Sequence, residues 1–182
     1  MTLSNDEDAL VRRRLVSAGL EHRLDERWAL QLGVGASLGG DVTVAEDRYE
    51  LGPGWLASAG ASFRILEGTG IEPFLLVSLG LGAGMARAER DDEEAWFTAL
   101  DARLSLTVGK LFWNALAPYG VARLFGAPAI WERAGETVTG QDDYHVQLGL
   151  GLLAAAGGLA GAFVEVIPLG ERAVTVGASA SF

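Results

Sequence analysis

Eight polar side chains follow one side of an alternating residue pattern, and they are the chain's candidates for chemistry. Asp101 and Arg103 are two residues apart, which places both on one face of an extended strand. Opposite charges at similar depth in a confined space pair, because a buried charge persists only when it is paired and hydrogen-bonded. We therefore expect an inner polar network, and its members are Arg64, Glu72, Asp101, Arg103, Arg123, His145, Gln147 and Glu165.

Catalysis by this network would need a proton-transfer residue, and His145 is the best candidate. The other histidine, His22, lies at a predicted turn. No serine stands in a recognisable nucleophile motif, no phosphate-binding or zinc spacing occurs, and the sequence contains no cysteine. We predict a non-enzymatic protein with no catalytic residue, cofactor or metal, and a pore lining remains the second interpretation of the network.

Composition excludes nucleic acid as a partner and favours a single domain. The chain has 182 residues with a formal charge of −10 and no basic stripe that would displace counterions from phosphates. Apolar residues make up 49% of the chain, and 25 glycines are spread along its length, which is unusual for a soluble globule. We therefore assign residues 1–182 to one domain that begins with a polar, acidic stretch over residues 1–8.

The strongest pattern along the chain is an alternation with period two, as in a strand with two different faces. In residues 28–38 the even positions are Trp, Leu, Val or Ala, whereas the odd positions are mostly Gly, Ser or Gln. The pattern is clear in residues 28–38, 55–65, 96–108, 144–152 and 174–182, and weaker in 9–22, 71–86, 117–127 and 159–167. Nine strand candidates result.

The sizes of the residues decide which face is outside. Rows of Leu, Val and Trp do not fit inside a narrow cylinder, and soluble surfaces are rich in charge rather than in Gly and Ser. Turned outward, the large rows match lipid, while a closed sheet pairs every backbone polar group. We predict a closed antiparallel up-and-down transmembrane β-barrel of 8–10 strands, and the alternative is a soluble ligand-binding barrel with its large residues inside.

Two further features agree with a membrane barrel. Residues 146–164 carry no charge and are long enough for a transmembrane helix, but their first half alternates and Ala155–Gly158 supplies a turn, which favours a hairpin. Aromatic residues fall at strand ends in two groups, as the two interfaces of a bilayer select. The predicted girdles are Trp55, Trp96, Trp131 and Tyr144 at one level and Trp28, Phe63, Trp113, Tyr119 and Phe182 at the other.

The last ten residues end in Phe after alternating apolar positions, namely Val174, Val176, Ala178, Ala180 and Phe182. In this the chain resembles the small outer-membrane β-barrel proteins of Gram-negative bacteria, although Ala178 and Ala180 are smaller than that family prefers. The resemblance implies that these five residues form the signal read by the barrel-assembly machinery. It also implies an outer-membrane location, with the lipid bilayer and lipopolysaccharide as partners.

Strand number is where the chain departs from the family. The family's barrels have an even number of strands with both termini on the periplasmic side. Nine strands would leave Met1–Asp8 outside the cell, unless a first strand has been removed or one candidate is wrong. The first residues lack the positive and apolar segments of a secretory signal, so we expect that a signal has been removed.

The expected function follows from this fold. We predict a monomeric outer-membrane barrel of structural or surface-interaction type with a plugged lumen. The alternatives are a narrow, porin-like solute or ion pore and an outer-membrane lipid-modifying enzyme. Acidic connectors over residues 39–54, 87–95 and 128–142 are expected to form outer loops, and members of Arg12–Arg14 to meet lipopolysaccharide phosphates at the rim.

Overall fold

The computed structural model describes residues 2–3, 9–44, 47–68, 71–90, 93–133, 136–141, 144–156, 160–170 and 172–180. These residues form one sheet of twelve strands. The strands are β1 (Thr2–Leu3), β2 (Ala9–Arg23), β3 (Trp28–Val44), β4 (Asp47–Glu67), β5 (Phe74–Arg90), β6 (Glu93–Gly109), β7 (Leu116–Gly126), β8 (Ala129–Arg133), β9 (Glu136–Gln141), β10 (Val146–Ala156), β11 (Ala160–Leu169) and β12 (Ala173–Ala180).

Nine of these strands pair antiparallel along one main path, β12-β11-β10-β7-β6-β5-β4-β3-β2. The hairpin of β8 and β9 extends the path, because β8 pairs with β6 and β9 pairs with the short β1. The sheet curls into an open half-barrel, and no ladder joins β2 to β12 in the described ranges. The predicted all-β, antiparallel up-and-down fold is confirmed, and closure stays a prediction.

The uncharged stretch over residues 146–164 forms strands. β10 and β11 pair antiparallel, with Leu152 opposite Val164 and Ala156 opposite Ala160. Within the described residues, none belongs to a helix with the length and hydropathy needed to cross a membrane. The hairpin interpretation is therefore confirmed.

Much of the sequence predicted as long connectors continues the strands. β3 runs to Val44 and β4 begins at Asp47, so the connector expected over residues 39–54 is a strand pair along most of its length. β5 likewise reaches Arg90, and β6 begins at Glu93. The prediction of long loops is wrong here, because the alternation of side chains continues through these residues. Only the face that carries the apolar residues changes, from the outer to the inner face. We call the end of the sheet at which β3 ends and β4 begins the loop end, and the opposite end, at which β2 ends and β3 begins, the turn end.

The exchange of faces occurs at bulges in β3 and β4. Where β3 pairs with β2 it carries one extra residue next to Gly39, whose φ of 112° favours glycine. Where β4 pairs with β5 it carries one extra residue between Leu51 and Gly54. Since neighbouring side chains alternate, one extra residue reverses the face that every later side chain occupies. Apolar residues of β3 consequently lie outside before Gly39 and inside after it.

The loop end encloses an apolar core to which β1–β6 and β8 contribute, with Val138 of β9 packed against it. Trp131 is 1% exposed, and its ring meets that of Tyr49 edge to face with centroids 4.7 Å apart. The Arg13 guanidinium lies 5.9 Å from the centroid of Phe97, so β2 and β6 approach each other across this end. We call this cluster the collar core; its buried members are Leu3, Ala9, Val42, Val44, Tyr49, Leu51, Ala88, Ala95, Phe97, Ala129 and Trp131.

Between the collar core and the turn end, the outer face of the sheet is apolar, whereas the inner face combines polar and small residues with a few buried apolar side chains, among them Val121, Phe125 and Ile167. Leu32 is 63% exposed and Leu150 is 69% exposed, whereas Gln147 and Glu165 are buried on the inner face. Exposed apolar side chains occur on every strand of the main path. We call these rows the outer band; they include Val16, Leu20, Leu32, Val34, Trp55, Leu79, Leu81, Leu104, Leu106, Leu124, Leu148, Leu150, Val164, Val166, Val174 and Val176.

Candidate functional site

A buried polar cluster lies on the inner face of β7, β10 and β11. Arg123 Nη2 donates to Glu165 Oε1 at 2.6 Å, and the Tyr119 hydroxyl donates to Glu165 Oε2 at 3.2 Å. Both charged side chains are nearly enclosed, with 15% of Arg123 and 10% of Glu165 exposed. Gln147 lies opposite Arg123 in the ladder and is itself buried. The Glu165 carboxylate therefore receives a charge-assisted and a neutral hydrogen bond in a mostly dry environment.

Gly151 explains how this cluster spans three strands. It sits on β10, opposite Tyr119 of β7 on one side and Glu165 of β11 on the other. A Cβ at Gly151 would overlap the Tyr119 ring. Since glycine has no side chain, Tyr119 can lie across β10 and reach the Glu165 carboxylate.

A second ion pair lies within β6. Arg103 Nη2 donates to Asp101 Oδ2 at 2.6 Å, and the two side chains are 37% and 33% exposed. Across the ladder, Gly80 faces Arg103 and Gly82 faces Asp101, so the neighbouring strand β5 leaves space there. This pair is more open to solvent than the pair of Arg123 and Glu165.

The remaining members of the predicted network lie apart from these pairs. Arg64 is at the turn end, where it lines a cavity of about 560 Å³ with Arg23, Asp25, Glu26 and Glu67. Glu72 is exposed in the turn before β5, and His145 is exposed just before β10. His145 Nδ1 lies 3.3 Å from the Phe125 carbonyl oxygen. The predicted network thus comprises two inner ion pairs with Gln147 and three separate peripheral residues.

The predicted girdle residues occupy both faces of the sheet. Trp28 and Phe63 are adjacent on the outer face with ring centroids 4.8 Å apart, and Trp55 and Trp96 are exposed near the loop end. Tyr144 and Trp113 are exposed next to strands.

Two other girdle candidates do not face outward. Trp131 belongs to the collar core, and Tyr119 points inward to Glu165. Their ring sizes suit a girdle, but the strand register places them on the inner face.

The predicted assembly signal occupies the last described strand. Val174 and Val176 are 70% and 76% exposed on the outer face of β12, and Ala178 and Ala180 continue the same row. Phe182 lies outside the described residues.

Sequence reasoning missed one inner pair. Gln31 Nε2 donates to Glu21 Oε2 at 2.9 Å between β3 and β2. Both residues lie on the small-residue face of clearly alternating segments, which was the available signal. In the ranges described above, no group of three His, Asp or Glu side chains is arranged to hold a metal ion.

Comparison with known proteins gives no match, whether to a family model, to a curated protein or to a solved structure. The function is therefore argued from the two faces of the sheet and from its inner pairs.

Proposed function

We propose that this protein is an integral β-barrel of the bacterial outer membrane, of structural or surface-interaction type, with a lumen that does not conduct. The observation that carries the proposal is the outer band, in which large apolar side chains are exposed on all nine strands of the main path. Contiguous exposed apolar surface of this extent marks a site of contact with membrane or protein. A band that follows every strand favours lipid over a local protein partner.

The height of the outer band suits a bilayer. Along β3 the outward row runs from Trp28 to Leu38. At about 3.3 Å per residue and a tilt of about 40°, such a row spans about 25 Å along the membrane normal, which is the apolar height of outer-membrane barrels. The ring pair of Trp28 and Phe63 lies at one edge of this band, as an interfacial girdle would.

The inner face argues against a soluble barrel with an apolar interior. At the level of the outer band, the buried side chains of the inner face include the polar Ser62, Ser105, Gln147 and Glu165 beside the apolar Val121, Phe125 and Ile167. A soluble barrel would place its large apolar residues on this inner face and its charges outside. Here the long rows of large apolar side chains are on the outer face, and an ion pair is enclosed on the inner face, as expected when the outer surface meets hydrocarbon.

The collar core favours a closed lumen over a pore. Trp131, Tyr49 and Phe97 are each 1% or 2% exposed in the middle of the loop end. Apolar side chains packed to this extent leave no aqueous path between them. The ion pair of Arg123 and Glu165 adds a second obstruction nearer the turn end.

The proposed partners are the outer-membrane lipids and the assembly machinery. At the loop end, Arg12, Arg14 and Arg87 are exposed above the outer band, and the Arg87 guanidinium lies 5.4 Å from the Trp96 ring centroid. Exposed guanidinium groups at this level suit lipopolysaccharide phosphates. The alternating outer row of β12 suits recognition by the machinery that folds such barrels.

The proposal is tested by the same substitution at two heights. Leu32 lies near the middle of the outer band, whereas Leu10 is 52% exposed next to the collar core. In phospholipid vesicles, Leu32→Arg is expected to lower the free energy of unfolding by about 2–4 kcal/mol, and Leu10→Arg by about 0–1 kcal/mol. Urea titration followed by tryptophan fluorescence measures both.

Equal, small effects of the two substitutions, together with a folded wild-type protein in plain buffer, would contradict membrane insertion. Planar-bilayer recording tests the lumen separately. We expect no stepwise conductance from the wild-type protein, and steady single-channel currents would favour the pore.

A further inference from the structure

We propose that β2 and β12 close the barrel by pairing directly with each other as parallel strands, an inference that rests on the proposed membrane function. Of the nine strands on the main path, these two are its ends and each has one neighbour there. Lipid cannot satisfy the backbone N–H and C=O groups of an open edge, so a sheet in a bilayer must close. On the main path, β2 and β12 each have one edge without a neighbouring strand, so each can pair with the other.

The direction of this closing ladder follows from the strand count. β2 runs from the loop end at Ala9 to the turn end at Arg23, and each later strand on the path runs opposite to its neighbour. The ninth strand of such a series has the direction of the first. β12 therefore runs toward the turn end beside β2, and a ladder between them has the evenly spaced, slanted hydrogen bonds of parallel strands.

β1 accounts for the part of the edge that β12 does not reach. Leu3 and Ala9 both belong to the collar core, and only residues 4–8 separate them in the sequence. β1 is antiparallel to β9, so it runs toward the loop end, opposite to β2. At the loop end β1 therefore covers the edge of β9 close to the start of β2 in the collar core, and the seam that remains for β12 is at the level of the outer band.

The two edges have matching faces along this seam. In residues 15–20 of β2 and along β12, the even positions face out and are apolar, as at Val16 and Val176, and the odd positions face in and include Gly19 and Gly177. β12 carries no charge, and neither does the stretch 15–20 of β2. A parallel ladder that aligns even positions keeps both apolar rows on the lipid side.

Disulfide scanning tests the direction of the seam, because the sequence contains no cysteine to interfere. Val16→Cys or Leu20→Cys is combined with cysteine at each outward position of β12, namely 174, 176, 178 and 180, in the full chain in phospholipid vesicles. In a parallel ladder, the preferred partner of position 20 has a higher number than the preferred partner of position 16. We expect that order, with severalfold more disulfide in the preferred pairs than in the others.

Matched controls set the scale. Val166→Cys with Val174→Cys joins register partners of β11 and β12 and must cross-link. Val16→Cys with Leu79→Cys joins β2 to β5, which β3 and β4 separate, and must not. Flotation of the vesicles reports membrane residence independently.

Four results would overturn direct parallel closure while leaving the proposed function intact if the protein still floats with the vesicles. They are the reverse order of partners, cross-linked dimers, no cross-link with any reagent, and cross-links that form only with a reagent about 10 Å long. The last result would mean that another strand lies between β2 and β12, because about 10 Å is two strand spacings. Loss of flotation with the parallel order retained would overturn the proposed function instead.

Discussion

The collar core and the outer band belong to the same strands and the same alternation, yet their chemistry is reversed. In β3, Leu32 is 63% exposed, whereas Val44 is 2% exposed and lies inside. Both are apolar residues at even positions, and the bulge at Gly39 separates them. The comparison teaches that alternation defines two faces of a sheet, while bulges decide which face is inside.

The two regions also obtain their stability differently. The collar core buries Trp131, Tyr49 and Phe97 against one another, as a soluble barrel does, so its packing keeps these side chains from water whether or not lipid surrounds the sheet. The outer band exposes its apolar rows, and these contribute when lipid replaces the water around them. Substitutions in the two regions should therefore differ in size and in dependence on the solvent.

The largest expected effect is in the collar core. Trp131→Ala removes the largest fully buried side chain of the described residues and should lower the free energy of unfolding by about 3–5 kcal/mol. Trp113→Ala is the control, because Trp113 is 84% exposed, and about 0.5 kcal/mol or less is expected there. Urea unfolding in detergent micelles measures both, and equal losses would mean that the collar core is not a packed unit.

The two inner ion pairs lie at the level of the outer band and differ in how far solvent reaches them. Arg123→Ala leaves Glu165 as an enclosed, uncompensated charge, and a loss of about 3–5 kcal/mol is expected. Arg103→Ala exposes Asp101 to solvent that already reaches it, so about 1 kcal/mol or less is expected. Both are measured by denaturant unfolding in detergent, alongside conductance.

The double variant Arg123→Met with Glu165→Gln is the matched control for the buried pair. It removes both charges and should lose less stability than Arg123→Ala alone. If both single substitutions leave stability unchanged and conductance rises, water fills the lumen and these residues line a pore.

A smaller effect is expected at the boundary between the two regions. Gly39→Ala places a Cβ at a φ of 112°, and the left-handed conformation costs about 1–2 kcal/mol for a residue with a side chain. Gly126→Ala is the control, since no atom lies within 4 Å of its new Cβ. There a gain of about 0.4–1 kcal/mol is expected from the less flexible unfolded chain. Thermal or urea unfolding measures the stability of both variants. Equal stability changes would mean that Gly39 does not adopt the bulge conformation that reverses the two faces of β3.

The sequence was sufficient to predict the nine strands of the main path and their antiparallel order. It did not predict β1 or the hairpin of β8 and β9, which was expected as a long connector over residues 128–142, and it did not predict the exchange of faces. Each of the nine alternating segments lies largely within a strand, because side chains in a strand must alternate. The alternation of β3 passes through Gly39 with its apolar residues still at even positions. The position of a bulge depends on the pairing with the neighbouring strands, and a single strand's sequence does not contain that information.

The inner pairs show a similar division. Asp101 and Arg103 are two residues apart, so their shared face and their pairing could be predicted. Arg123 and Glu165 lie on strands that β10 separates, and their contact depends on the space left above Gly151. Arg64 lies beside a bulge at the turn end, where alternation no longer indicates which residues it meets.

The smallest expected effect lies at the turn end, opposite the collar core. Asp25 Oδ1 accepts hydrogen bonds from the backbone N–H groups of Trp28 and Arg27, each at 2.7 Å, in the turn between β2 and β3. These two hydrogen bonds lower the pKa of Asp25 from its usual 3.8, and the bond from Trp28 has the larger effect.

Because the folded pKa lies below the unfolded one, the stabilisation is present above the unfolded pKa and is lost as the pH falls through the folded pKa. Asp25→Asn keeps an oxygen acceptor but removes the charge, so the wild-type protein should be slightly more stable at neutral pH. That advantage should fade below about pH 4. Urea unfolding of both proteins across this pH range measures it, and Glu26→Gln shows what removing a charge from the same turn does by itself. An advantage of the wild type that grows as the pH falls would mean that the ionised carboxylate does not stabilise the turn.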